Sequence, residues 1–139
     1  MRVICKDVSE FKKATAITSV EEKYGIKFPE KMVAFFKANN GGIPDTREIM
    51  VDGHEYEIRC FLSFNEKEYN SIHQPIESYQ KETNGKIVPI AIDSGDNYFC
   101  LNLETGNIYY NDYEDGLYYK LFNNFSELID AINDWLCYK

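Results

Sequence analysis

Residues 86–116 read KIVPIAIDSGDNYFCLNLETGNIYYNDYEDG, and this stretch decides the fold class of the 139-residue chain. Its apolar run at residues 87–92 predicts a buried strand, which the turn formers at residues 93–96 bring to an end. A second strand is predicted at residues 98–103 and a third at residues 108–113, because each follows a short turn. Three strands in close succession predict a sheet at the centre of the fold.

Acidic residues crowd the ends and turns of these strands. Asp93 and Asp96 lie in the first turn, and the third strand closes on Asp112, Glu114 and Asp115. Acidic residues are common turn formers, and most of them are simply solvated. Their number here, together with the tyrosines between them, favours a surface that binds a partner over a reaction centre.

The amino-terminal part of the chain predicts short helices. Ser19 and Glu22 match a capping box, which predicts a helix at residues 20–24. Gly25 would end that helix in a left-handed conformation. Residues 8–14 suit a further helical turn or two.

A second helix and a hairpin follow. Pro29 suits the first turn of a helix whose apolar face packs on the core. Gly41 and Gly42 end this helix, because glycine adopts a positive φ at little cost. The pair Asp52-Gly53 suits a type I′ turn, so residues 47–64 predict a β-hairpin.

The remaining segments complete the order of elements. Residues 65–84 form a polar helical segment in which Pro75 starts the main helix. A short strand is predicted at residues 118–122, and Asn124 with Glu127 matches a second capping box at the start of the last helix. The apolar stripe of that helix consists of Leu128, Ile129, Ile132, Trp135 and Leu136. Helices, a central sheet and a closing helix predict a single α+β domain over residues 1–139.

The net charge of −8 is unevenly distributed along the chain. Residues 1–90 carry 13 basic and 14 acidic side chains, whereas residues 91–139 carry 2 and 9. An acidic surface repels nucleic acids and anionic membranes, so neither is an expected partner. The excess of acid is either a device for solubility or a docking surface for a basic protein.

The sequence gives no signal for catalysis, a metal or a cofactor. Carboxylates such as Asp93 and Asp112 could pair in an active site, but no nucleophile, phosphate loop or histidine cluster accompanies them. The cysteines are far apart within apolar patterns, which predicts reduced core thiols at Cys5, Cys60, Cys100 and Cys137.

The amino terminus is too weakly apolar for a signal peptide, and no run of apolar residues is long enough for a membrane span. We therefore expect a cytoplasmic protein.

Short motifs along residues 19–136 are weak singly and fairly specific in combination. They are Glu21-Glu22, Tyr24-Gly25, Phe28-Pro29, Asn40-Gly41-Gly42, Val88-Pro89-Ile90-Ala91 with Asp93 and Gly95, Phe99-Cys100-Leu101, Gly106-Asn107-Ile108-Tyr109 and Phe125-Ser126-Glu127. In this order the chain resembles the SUKH superfamily, which includes fungal cell-wall-assembly regulators of the Smi/Knr type and many bacterial toxin-immunity proteins. The resemblance implies a mixed, largely antiparallel sheet flanked by helices, no catalytic residues, and a function through protein contact.

Two positions depart from the pattern of that superfamily. Asp96 stands where members often have a second glycine after the aspartate turn. Asn111 lies beside Asp112 where a tryptophan is usual before the acidic turn. We therefore expect the presentation of Asp93 and Asp96 to differ from that in other members.

The resemblance and the acidic last third together imply an immunity protein that neutralises a cognate toxin. A nuclease toxin is the favoured partner, because it must present a positive cleft to phosphates. The expected docking residues are Asp93, Asp96, Tyr98, Tyr109, Asp112, Tyr113, Glu114 and Asp115, with Tyr110, Tyr118 and Tyr119 as further tyrosines. Because side chains alternate along a strand, only about half of the six tyrosines can face outward.

The alternative is a non-catalytic regulatory or scaffold domain that binds cellular proteins. In either case we expect no cofactor and a monomer or weak homodimer.

Overall fold

The computed structural model describes the backbone of residues 5–135 and the side chains of residues 5–133. The predictions for the Trp135 side chain, Leu136 and Cys137 lie outside these described residues. In chain order the elements are β1 (Cys5–Lys6), α1 (Ala16–Tyr24), α2 (Glu30–Asn39), β2 (Ile43–Pro44), β3 (Glu48–Val51), β4 (His54–Glu57), β5 (Cys60–Phe61), α3 (Pro75–Thr83), β6 (Ile87–Ile92), β7 (Tyr98–Asn102), β8 (Ile108–Asn111), β9 (Tyr118–Phe122) and α4 (Phe125–Trp135). These helices and strands confirm the α+β prediction.

The main sheet has five strands in the order β5-β6-β7-β8-β9, and every neighbouring pair is antiparallel. The predicted three-strand centre corresponds to β6, β7 and β8. Two smaller antiparallel sheets, β1-β2 and β3-β4, accompany it. Within the described part of the chain, the parallel pairing that a mixed sheet requires is limited to an isolated bridge between Ser63 and Ser71.

One face of the main sheet packs against α1, α2 and α4 in an apolar core. All six residues of β6 are buried, which explains its continuous apolar run. Phe36 of α2 is also buried, and its ring lies 5.0 Å from that of Phe64 in an edge-on contact. Full burial of one such side chain contributes about 1.5–3 kcal/mol. The predicted stripe of α4 is confirmed at Leu128, Ile129 and Ile132, all of which are buried.

Helix α3 covers part of the opposite face. Its Tyr79 packs with Ile87 and Cys100 in a smaller cluster. Burial raises the pKa of the Cys100 thiol to about 12, so this cysteine stays protonated at neutral pH. Three half-buried tyrosines border the cluster, namely Tyr98, Tyr109 and Tyr118. This second face therefore presents an aromatic surface beside α3.

Helix α1 begins at Ala16, so the predicted capping box at Ser19 and Glu22 is wrong. The backbone N–H of Ser19 donates to the carbonyl oxygen of Thr15 at 2.7 Å, which places Ser19 inside the helix. The predicted end is confirmed, because Gly25 has a φ of +64° and its N–H donates to the helix at Glu21.

Residues 8–14 are not helical, in contrast to the prediction. Two buried asparagines hold this segment against the body of the protein. The Asn40 amide donates to the Ser9 carbonyl at 3.1 Å, and the Asn65 amide donates to the Glu10 carbonyl at 2.8 Å. Because these amides satisfy its carbonyls from outside, the segment does not need helical hydrogen bonds.

The predicted hairpin is confirmed in its turn and corrected in its length. Asp52 and Gly53 have φ values of +49° and +80°, as a type I′ turn requires. Its second strand does not continue to residue 64, because the chain leaves the hairpin after β4 and joins the main sheet as β5. Likewise, α3 begins at Pro75 as predicted, whereas residues 65–74 form turns and not helix.

The family-type glycines and prolines occupy constrained positions. Pro29 directly precedes α2, and Gly41 after that helix has a φ of +66°. A Cβ on the buried Gly42 would lie 2.7 Å from the Cβ of Cys5. Pro89 lies in β6 beside an irregularity in its pairing with β7, and Gly106 turns the chain between β7 and β8 with a φ of +82°.

The second predicted capping box is confirmed at α4. The backbone N–H of Glu127 donates to the Asn124 side chain at 2.9 Å. The Glu127 carboxylate in turn accepts from the backbone N–H of Asn123 at 2.7 Å, one residue earlier than the standard pattern.

Candidate protein-binding edge

The antiparallel order of the main sheet brings both acidic turns to the same end. Strands β6 and β8 end there, and β7 and β9 begin there. The first turn spans residues 93–97 and the second spans residues 112–117, and we refer to the two together as the acidic edge. The sequence predicted the carboxylates of both turns but not that they would be neighbours.

Asp93 organises the first turn. One carboxylate oxygen accepts hydrogen bonds from the backbone N–H groups of Gly95 at 2.9 Å and Asn97 at 2.8 Å. The other accepts a short hydrogen bond from the Tyr110 hydroxyl. Burial and this hydrogen bond raise the pKa of Tyr110 well above its ordinary value. Because both oxygens are engaged inside the protein, Asp93 holds the turn more than it faces a partner.

The second turn is built in a similar way. Asp112 accepts from the Glu114 N–H at 2.9 Å, and Asp115 accepts from the Leu117 N–H at 2.8 Å. The other oxygen of Asp115 accepts a short hydrogen bond from the Tyr119 hydroxyl. This hydrogen bond, with that from Leu117, lowers the pKa of Asp115 below its ordinary value. The carboxylate of Asp115 therefore stays charged at any pH near neutrality.

Asn97 connects the two turns. Its side-chain oxygen accepts from the backbone N–H of Tyr113 at 2.8 Å, while its side-chain amide donates to Asp93 at 3.2 Å. Sequence reasoning missed this residue, because an asparagine in a turn gives no signal of the distant group that it contacts. The connection fixes the spacing between the carboxylates of the first turn and those of the second.

Three of the predicted acidic residues face solvent, namely Asp96, Glu114 and Asp115. Asp96 has a φ of +64° and its side chain is 79% exposed. It lies 3.8 Å from the guanidinium of Arg59, at the outer limit of an ion pair. Because this contact is long and most of the Asp96 side chain faces solvent, Asp96 remains accessible to a competing cation.

The predicted tyrosines differ in accessibility. Tyr113 is 84% exposed at the tip of the second turn, next to Leu117, which is 56% exposed. Tyr98 and Tyr109 are half-buried on the face that α3 covers, whereas Tyr110 packs toward the core against Phe99. Burial raises the pKa of Tyr98, and the neighbouring charge of Asp96 adds to this effect. Alternation along the strands therefore divides the tyrosines between the two faces, as expected.

A groove of about 410 Å³ begins at the acidic edge and runs beside α3. Its walls include Tyr79 and Glu82 from the helix and Asp96, Tyr98, Asn111 and Tyr113 from the sheet end. We call it the tyrosine groove. Its floor is fixed because the Tyr79 hydroxyl donates to the Asn111 side chain at 2.6 Å. The contribution of α3 to this site was not predicted.

A second groove, of about 680 Å³, lies on another part of the surface. It is lined by Lys12, Lys13, Lys67 and His73, with Glu66 and Glu68 between them. Glu68 is engaged internally, since it accepts hydrogen bonds from Ser9 at 2.8 Å, from Asn65 at 3.1 Å and, at short distance, from Ser63. Glu68 therefore belongs both to the wall of this groove and to the hydrogen-bond network that holds residues 8–14.

Two features are absent from the described residues 5–133. No group of three or more histidine, cysteine, aspartate or glutamate side chains is arranged to hold a metal ion there. In the same part of the chain, no helix has the length and apolar character needed to cross a membrane.

Comparison with known sequences places the chain in a family. The sequence model of the SMI1 / KNR4 family (SUKH-1) matches residues 13–131, which is most of the chain. The chain belongs to the SMI1 / KNR4 family. This membership confirms the resemblance to the SUKH superfamily.

A curated relative of this SMI1 / KNR4 protein is the SPbeta prophage-derived uncharacterized protein YokK of Bacillus subtilis (strain 168). The two are 28% identical over a stretch that covers 48% of this chain and 37% of YokK. The aligned stretch thus represents little more than a third of that relative's length.

One departure from the family pattern has a structural explanation. Asp96 stands where SUKH members often have a glycine, and it adopts the left-handed conformation that glycine accepts freely. The backbone requirement at this position is therefore met by a residue that also carries a charge.

Proposed function

We propose that this chain is an immunity protein that binds a basic protein toxin and neutralises it, with a nuclease as the favoured toxin class. The observation that carries the proposal is the acidic edge, in which two carboxylate-bearing turns are fixed side by side in a member of the SMI1 / KNR4 family. The protein would act by contact and would perform no chemistry of its own.

Charge supports this proposal. The last third of the chain carries most of the net charge, and three of its exposed acids, Asp96, Glu114 and Asp115, lie at the same end of the main sheet. A nuclease toxin must present a positive cleft to phosphates, so a negative surface of this kind would be steered toward it. Such steering raises association rates to about 10⁸–10⁹ M⁻¹s⁻¹ at low salt.

The exposed apolar groups at the same edge support it as well. Tyr113 and Leu117 project from the second turn, and Tyr119 is 40% exposed nearby. Tyrosine is enriched among the residues that dominate binding energy, because its rigid ring contributes a large contact area at low entropic cost. Charge would thus bring the partner to the edge, and the aromatic groups would retain it.

Two further observations bear on the biological setting. The curated relative is named as prophage-derived, which agrees with a role in conflict between genetic elements. The SUKH superfamily that the chain resembles also includes fungal cell-wall-assembly regulators, so a scaffold domain that binds cellular proteins is the second candidate. That candidate predicts several partners, whereas an immunity protein has one cognate toxin.

Co-expression tests the proposal directly. Toxin domains that are encoded beside this chain, and unrelated nuclease toxins, would each be expressed in cells with and without it. We expect rescue from one toxin and tight binding to that toxin alone. If the chain rescues cells from none of the toxins and binds several housekeeping proteins stably, the result would support the scaffold function instead.

Charge variants locate the contact. The quadruple variant Asp96→Asn, Asp112→Asn, Glu114→Gln and Asp115→Asn should lower the association rate for the toxin at least about tenfold at low salt. Asparagine keeps the side-chain oxygen that each turn uses, so the fold is retained. A matched control makes the same charge change at exposed positions elsewhere, namely Glu22→Gln, Glu30→Gln, Glu66→Gln and Asp130→Asn. An equal decrease of the association rate in both variants would show that the total net charge, and not the acidic edge, determines that rate.

A further inference from the structure

We propose that the tyrosine groove binds an arginine side chain that the basic partner presents on a loop. This inference rests on the proposed function, and it names the group that the site would recognise. The groove has a volume of about 410 Å³. This volume is within the range of about 300–1,000 Å³ that is usual for pockets that enclose a ligand.

The aromatic walls suit a planar cation. The rings of Tyr79 and Tyr98 both line the groove, where they lie 6.0 Å apart and nearly perpendicular. Tyr113 stands at the mouth and is 84% exposed, which leaves its ring free to close over an entering group. A guanidinium stacks on aromatic faces and is more weakly hydrated than an ammonium, so arginine fits better than lysine.

The charges around the groove favour the same ligand. Asp96 and Glu82 bring two carboxylates to the walls, and among the described residues that line it none is a lysine or an arginine. The neighbouring cation, Arg59, lies 3.8 Å from Asp96. Because that contact is long and the Asp96 side chain is 79% exposed, an incoming guanidinium can share the carboxylate.

The floor of the groove is already in place before any ligand arrives. Asn111 accepts from the Tyr79 hydroxyl at 2.6 Å and donates to the Leu117 carbonyl at 3.0 Å. These two hydrogen bonds join α3 to the second turn, so the width of the groove does not depend on the partner. A preformed site binds more tightly because less ordering accompanies association.

Titration with a tripeptide tests the inference without the toxin. The probe is Ac-Gly-Arg-Gly-NH₂, and the control is the same peptide with citrulline, which has nearly the same shape and no charge. Aromatic and amide NMR spectra should show saturable shifts at Tyr98, Tyr113 and Asn111 with the arginine peptide alone. Equal shifts with citrulline, or shifts that are confined to the second groove, which Lys12, Lys13 and Lys67 line, would overturn the proposal.

Matched variants of the full chain sharpen the result. Asp96→Asn should weaken binding of the arginine peptide about fivefold or more, whereas Glu114→Gln, which makes the same charge change outside the groove, should alter it less than about twofold. Tyr113→Ala should weaken binding by a similar factor, and Tyr69→Ala, a tyrosine that is 80% exposed and does not line the groove, should not. If both variants of a pair change the affinity for the arginine peptide equally, the groove is not the binding site of that peptide.

The same variants separate this inference from the proposed function. If the wild-type chain rescues cells from a toxin and the Asp96 and Tyr113 variants rescue equally well, the groove proposal fails while the immunity function stands. If the arginine peptide binds in the groove but no toxin is neutralised, the immunity function fails while the groove remains an arginine site.

Discussion

The side-chain oxygen of Asn97 accepts a hydrogen bond from the backbone N–H of Tyr113 at 2.8 Å, across the gap between two turns that are separate in sequence. The same side chain donates to Asp93, which is itself held by the Tyr110 hydroxyl. The two turns of the acidic edge therefore behave as one structural unit. These hydrogen bonds hold the backbones of the two turns side by side.

Replacement of Asn97 should separate the two turns. We expect Asn97→Ala to lower the free energy of unfolding by about 1–2 kcal/mol, because it removes hydrogen bonds to both turns. Chemical denaturation would measure the loss. Asn107→Ala is the control, since Asn107 is also half-buried but lies in the β7–β8 turn and makes a side-chain hydrogen bond of 3.4 Å. Equal losses in the two variants would contradict a special role for Asn97.

The left-handed conformation of Asp96 leads to a comparison of two variants. Asp96→Gly and Asp96→Ala both remove the carboxylate and its contact with Arg59, but only alanine retains a Cβ at a φ of +64°. We expect the glycine variant to be more stable by about 1 kcal/mol. Thermal and chemical unfolding of the pair would measure this difference. An alanine variant as stable as the glycine variant would show that the turn relaxes to another conformation.

Close packing at Gly42 predicts a steric effect. A Cβ at this position would lie 2.7 Å from the Cβ of Cys5 and 3.1 Å from the carbonyl oxygen of Asn39. Gly42→Ala should therefore cost about 2–3 kcal/mol of stability. Gly25→Ala has open space around its Cβ and carries only the penalty of a positive φ, about 1 kcal/mol. A smaller loss at Gly42 than at Gly25 would mean that β1 can move away from it.

The hydrogen bonds to Glu68 predict a dependence of stability on pH. Although burial acts to raise the pKa of Glu68, the hydrogen bonds from Ser63, Ser9 and Asn65 lower it below its ordinary value. A lowered pKa contributes stability that is fully present above the unfolded pKa, about 4.3 for glutamate, and is lost as the pH falls through the folded value. We expect the free energy of unfolding to fall in this acidic range.

Glu68→Gln should flatten that part of the stability profile, as urea denaturation at several pH values would detect. Glu66→Gln, at an exposed neighbouring position, should leave the profile unchanged. A Glu68→Gln variant with the wild-type slope below pH 4.3 would show that other carboxylates cause the acid sensitivity.

The elements that depend on local sequence were predictable. The apolar run of β6, the Asp52-Gly53 turn and the cap of α4 at Asn124 each follow from a pattern of a few adjacent residues. The family resemblance, carried by short motifs, was predictable for the same reason. In the turn and the cap, the neighbours in the chain are also the partners in the structure, whereas the apolar run of β6 shows burial directly.

The failures arose where distant residues decide the local structure. Ser19 and Glu22 have the spacing of a capping box, but α1 begins earlier, at Ala16, so both residues lie inside the helix. Residues 8–14 are held by Asn40 and Asn65, from two other parts of the chain. Likewise, no short stretch of sequence predicts that Asn97 joins the two acidic turns. Nor does one predict that α3 lines the tyrosine groove.

The hydrogen bond between Tyr79 and Asn111 has a consequence for the kinetics of recognition. It ties a helix to the sheet end through a half-buried contact, so that thermal motion cannot easily open or shut the groove between them. A partner would meet a receptive surface on every properly oriented collision and would not have to wait for a rare open form. For the proposed function, in which a toxin must be bound before it reaches its target, this constant readiness would matter as much as affinity.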